Sequence, residues 1–189
     1  EYFPSSYTLP WSQYHKSAAE KIQRAVSLGG MFAFAMPRGS GKTTTAYACL
    51  NELATREDLV IFTIEETVGA LLPGVNQVEI DLDDASAYRS TFSAIFHSDP
   101  DVLFIASTFA QPHRSLLWST AVNAAESGHL VLVQLEAESA HDAIARFGEG
   151  TDRSFEEVLV GSCWQQLLPN ASGRGRHAVY EMVDGALTE

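Results

Sequence analysis

Met36-Pro37-Arg38-Gly39-Ser40-Gly41-Lys42-Thr43 is the stretch of this chain best equipped for chemistry. The pattern G-x-x-x-x-G-K-[ST] grips phosphates for three physical reasons. Its glycines let backbone N–H groups curl around an anion, its lysine reaches the outer phosphates, and its hydroxyl ligates Mg²⁺. Met36 stands where the pattern has its first glycine, whereas Gly39, Gly41, Lys42 and Thr43 fit. The reading is a nucleotide site with Mg²⁺, in which Gly39, Ser40, Gly41, Lys42, Thr43 and Thr44 hold phosphates and Thr43 ligates the metal. The opposing reading is a loop that keeps its shape for folding and binds no ligand, and Met36 keeps it open.

Such a loop needs a strand before it and a helix after it. "MFAFAM" is a short apolar run that predicts a buried parallel strand, and "KTTTAYACLNELAT" predicts the helix. "LVIFTIEE", "DPDVLFIAST" and "HLVLVQLE" predict three further buried strands, and "VNQVEIDL" alternates as a strand does. Helices are expected from "HKSAAEKIQRAVSLGG", "ASAYRSTFSAIFHS" and "PHRSLLWSTAVNAAESG", closed where glycines follow, and from residues 139–147 and 153–167. "GRGRHAVYEMV" predicts a turn into a last strand. Strands alternating with helices give an α/β domain with a largely parallel sheet and helices on both faces. Residues 1–14 are read as an N-terminal arm or linker, and 15–189 as one nucleotide-binding domain.

Composition limits the partners. The 189 residues are 46% hydrophobic and 19% charged, which is globular composition. A formal net charge of −12 opposes sequence-independent nucleic-acid binding, so no nucleic-acid partner is expected. Acidic runs such as "EIDLDDAS" are read as solvated surface. Cys49 and Cys163 are far apart in sequence and form no CxxC pair, and His97, His113, His141 and His177 lack metal-ligand spacing. No apolar run reaches the roughly 18 residues of a membrane span, so no direct membrane insertion is expected. The start on Glu rather than Met fits an excised domain.

"GSGKTTTAYACLNEL", "FTIEE", "GVNQVEI", "SDPDVLFI" and "GHLVLVQLE" occur in the order and spacing of the type II secretion and type IV pilus ATPase family, which this chain resembles from about residue 15 to about residue 183. The segment "WQQLLP…GRGRHAVYEM" looks like the retraction-type branch, which lacks the tetracysteine zinc insert. The resemblance implies a RecA-like P-loop NTPase domain, a hexameric ring and ATP-driven pilus or secretion work in the cytoplasm at an inner-membrane platform. It also implies a further domain before the motor, for which these residues leave no room.

Several family motifs are altered. The family segment resembles D-P-D, hydrophobics, then G-E-x-R-D, and here Ser107 stands at the carboxylate, with Phe109 and Ala110 at the Arg and Asp. Ser90, Ser93 and His97 stand at three arginine positions, and Arg89 lies one residue off. His129 matches the first family histidine, while Glu136 stands at the second. Glu65 and Glu66 match an E-D pair, followed by Gly69 at the next acidic position, and Arg174 and Arg176 fit a late G-R segment. Glu65 is therefore either the surviving water-orienting carboxylate or a strand-end carboxylate held by a neighbouring helix. His129 is either a phosphate contact or a structural residue at a strand start. Asp101 is expected on Mg²⁺ through water, beside Thr43.

A hydroxyl orients and polarises water poorly, and missing arginines leave transition-state charge unbalanced. The expectation is a pseudo-ATPase subunit that binds ATP and partners an active paralogue in a homo- or hetero-oligomeric ring. The alternatives are a slow but genuine ATPase and an interaction module without nucleotide.

Overall fold

The computed structural model describes residues 20–35, 42–80, 85–106, 113–151, 153–171 and 174–185. A seven-stranded sheet runs through them. Its strands are β1 (Gly30–Ala35), β2 (Ile61–Glu65), β3 (Asn76–Glu79), β4 (Val102–Ala106), β5 (Leu130–Leu135), β6 (Leu159–Pro169) and β7 (Arg176–Asp184). The spatial order is β3-β2-β4-β5-β1-β6-β7, parallel throughout except for the β6–β7 pair. The helices are α1 (Lys42–Leu53), α2 (Ala85–His97), α3 (His113–Glu126) and α4 (Ala140–Gly150). Residues 20–25 are also helical.

β1 and β5 are buried at every position, as "GMFAFA" and "LVLVQL" require, because helices cover both faces of the sheet. Period-2 alternation then sorts the side chains. Phe32, Phe34, Phe104, Leu130 and Leu132 face α1, where they pack on Ala46, Leu50 and Leu53. Ala33, Ile105, Val131 and Val133 face α2, α3 and α4. On that second face Trp118 stacks on Phe147 with centroids 4.9 Å apart, and Phe147 meets Phe155 at 5.0 Å. At the amino ends, a Cβ on Gly29 would sit 2.6 Å from the backbone of Gly128, and Gly29 has φ +73°. Glycine is therefore needed where the chain enters β1 beside the entry to β5.

Residues 153–167 are not a helix. A short 3-10 turn, Glu156–Val158, leads into β6, whose Met31, Phe32 and Phe34 partners make it a central strand. Burial on both faces hides the period of two and leaves an apolar run that fits either element. Gly161 marks the strand, since a Cβ there would lie 2.8 Å from the Val183 carbonyl oxygen of β7.

Connectivity fixes where a ligand fits. The chain leaves β1 for α1 on one face, whereas its neighbour β5 leads to α4 on the other. Connections that part in opposite directions open a crevice at the carboxyl ends of adjacent strands.

Candidate nucleotide site

β1 ends at Ala35 and α1 opens at Lys42, with Thr43 in its first turn. Residues 36–41 between them, with Gly39, Ser40 and Gly41, lie outside the described residues, as do Ser107, Phe109 and Ala110. The first turn of α1 carries no acidic side chain. Its free N–H groups and positive dipole end therefore suit an anion at the crevice, and the strand-to-helix geometry fits a phosphate group. Thr44, in the same turn, is exposed.

A buried polar layer lies beneath the first turns of α1. Thr45 donates its hydroxyl to Gln165 Oε1 of β6 at 2.6 Å. Half a turn on, the Tyr47 hydroxyl donates to Glu65 Oε2 of β2. Thr63 donates to Glu65 Oε1 at 2.6 Å, and Gln77 Nε2 of β3 donates to the same oxygen at 3.4 Å. Gly69 N–H donates in turn to the Tyr47 oxygen at 3.3 Å. Burial, then the hydrogen bond to Glu65 and its charge, push the Tyr47 phenol pKa up, so it stays a donor. Glu65 is 2% exposed, and both its oxygens are committed to neighbours. The geometry thus ties Glu65 to the packing of α1 on β2 and β3. Three donors already occupy most of the carboxylate's acceptor sites, and its burial keeps it from bulk water.

Two residues expected at the phosphates lie elsewhere. Asp101 enters β4 and accepts from Val60 N–H at 2.7 Å, while its own carbonyl accepts from Leu130 N–H at 3.0 Å. His129 precedes β5, with Nδ1 2.7 Å from the Pro100 carbonyl oxygen and its ring 5.8 Å from Phe96. Both stand at the amino edge of the sheet, whereas α1 opens at the carboxyl edge, a strand length of about 20 Å away. Their polar groups clamp the amino ends of β2, β4 and β5, so neither belongs with Lys42 and Thr43. Ser93 and His97 are exposed on α2, where His97 Nδ1 lies 2.6 Å from the Ser93 carbonyl oxygen.

Other residues at the site went unread in the sequence. Gln134 interrupts the apolar run "LVLVQL" of β5 and is 2% exposed, a signal that was available. Tyr47 and Thr45 passed as ordinary helix residues, and Gln165 lay in a segment read as helical. Cys49 and Cys163, distant in sequence, enter the same apolar cluster under α1, and burial pushes both thiols up to about 12.

Residues 8–182 match the family described as "Type II/IV secretion system protein". Type II secretion system protein E of Xanthomonas campestris pv. campestris is 36% identical over 144 residues, covering 74% of this chain and 23% of that protein. Competence protein ComGA of Halalkalibacterium halodurans is 32% identical over 188 residues, covering 90% of this chain and 53% of that protein. The pilus retraction motor PilT, solved with bound ADP, superposes with a TM-score of 0.75 at 26% identity, over 97% of this chain and 54% of that one. The chain thus spans from about a quarter to about half the length of these relatives. Its sheet and helices are those of a RecA-like α/β domain. With the match extending over nearly all its residues, the chain belongs to the Type II/IV secretion system protein family.

Proposed function

We propose that this chain is a nucleotide-binding domain that holds Mg-ATP and hydrolyses it slowly or not at all. The observation that carries this is the placement of two elements. Fully buried β1 ends at Ala35 and α1 opens at Lys42, at a crevice where the connections of β1 and β5 part, and Gly39-Ser40-Gly41 lie between them in sequence. Lys42 and the amides of residues 39–44 bind the phosphates, and the Thr43 hydroxyl ligates Mg²⁺, which offsets phosphate charge when bound. The pilus retraction motor PilT, 26% identical to this chain, was solved with bound ADP, which supports nucleotide binding by a domain of this fold.

The hydrolytic half is where the chain departs. Ser107 follows directly on Ala106 of β4, so a hydroxyl takes the place of the carboxylate that the family pattern has there. Glu65 is the alternative carboxylate, and its oxygens already serve Tyr47, Thr63 and Gln77. Ser90, Ser93 and His97 replace arginines that would offset charge developing on the terminal phosphate. Such a domain serves a cytoplasmic ring at a secretion or pilus platform, beside an active paralogue, by binding rather than by turnover.

Thermal unfolding with and without millimolar Mg-ATP tests the binding half, since a ligand selective for the native state raises its stability. The expected result is a clear rise in Tm for the parent and none for Lys42→Ala. Absence of a shift, or an equal shift in Lys42→Ala, would overturn the reading.

A further inference from the structure

We propose that Gln134 reads the terminal phosphate of a bound nucleoside triphosphate, through one water held between its amide oxygen and that phosphate. The proposal rests on the nucleotide-binding reading above and assigns one residue to one part of the ligand.

Gln134 is 2% exposed, and its Oε1 has no hydrogen-bond partner. An unpaired acceptor in a buried strand costs free energy that a leucine or valine would not. The other five residues of β5 are apolar, so the amide is an exception in its own strand. Its position suggests what offsets the cost. Gln134 pairs in register with Phe34 of β1 and Ala106 of β4, on the face covered by α1. Two residues after Phe34 the chain enters the Gly-rich loop, and one residue after Ala106 it reaches Ser107. Above this row, α1 is anchored on one side by Thr45 to Gln165 and on the other by Tyr47 to Glu65. β5 lies between β6 and β2 in the sheet, so the amide sits between those anchors, beneath the opening turns of α1.

Ser162 Oγ is also buried without a partner, but it pairs with Ala33 in the middle of β1, on the opposite face. Among the described residues, Gln134 alone combines the unmet acceptor with the crevice. An amide oxygen accepts and never donates, and phosphate oxygens at neutral pH accept as well. The two need a donor between them, and a water supplies two O–H groups, one to each. An amide is not a base, so this arrangement orders the water without deprotonating it. That suits a site that holds ATP, and it is lost with ADP.

The test is calorimetric titration of the chain with Mg²⁺ and AMP-PNP, a non-hydrolysable triphosphate, and separately with Mg-ADP. Gln134→Met keeps the length of the side chain and removes the amide. Its unliganded Tm is expected to match or exceed the parent's. Its preference for AMP-PNP over ADP is expected to fall roughly tenfold, the worth of one hydrogen bond. An unchanged preference overturns the proposal and leaves nucleotide binding intact, whereas a parent that binds neither ligand overturns both. If Gln134→Met does not fold, Gln134→Asn, which withdraws the amide by one methylene, is judged by the same ratio.

Discussion

Glu65 shows how far single residues can be read. A carboxylate at the end of an apolar run was visible, but its use was not. Tyr47 and Gln77, which decide it, lie 18 and 12 residues away in the chain. Tyr47→Phe removes one donor from a buried carboxylate and is expected to cost about 1–3 kcal/mol in urea unfolding. A negligible change would free Glu65 for other work. Cys49 and Cys163 are likewise far apart in sequence, and the fold brings both into one cluster. Burial raises the Cys49 and Cys163 thiols to about 12 in the folded chain, well above an exposed cysteine. A raised pKa means the native state favours the protonated form. That contribution to stability is complete below the unfolded value and is lost as pH rises from near 9 toward 12. Both thiols should therefore resist a thiolate-selective reagent at pH 8 until denaturant is added, and rapid labelling of the native chain would contradict their burial.

At the scale of elements, the buried strands β1, β2, β4 and β5 were legible because short apolar runs bounded by turn residues have few other uses. β6 was not, because nothing local separates a doubly covered strand from a buried helix. Its identity comes from β1 on one side and β7 on the other. α4 shows finer local signals. Ser139 caps it by accepting from Asp142 N–H at 2.9 Å, and Glu181 of β7 accepts from Ala140 N–H at 3.0 Å. Ser139→Ala is expected to cost about 1 kcal/mol. At the other end, a Cβ on Gly150 would lie 2.2 Å from the Trp118 ring. Gly150→Ala should therefore destabilise by overpacking, about 1–3 kcal/mol, despite the better helix propensity of alanine. A Gly150→Ala chain that melts above the parent would show that α4 does not dock on Trp118 in this way.

For the whole molecule, sheet order divides the polar residues into two edges. Asp101 and His129 close the amino edge, while the loop-led helix, Gln134 and the chain leading to Ser107 converge at the carboxyl edge. Sequence order could not separate them, because each edge collects residues from every strand. Binding and hydrolysis then fail or survive separately. Groups around a terminal phosphate act as a unit, so Ser107→Glu alone is expected to restore little turnover. The most direct test is phosphate release by the purified chain under saturating Mg-ATP, beside Lys42→Ala. The predicted result is release at the level of the Lys42→Ala variant, while turnover that is fast and requires Lys42 would contradict the account.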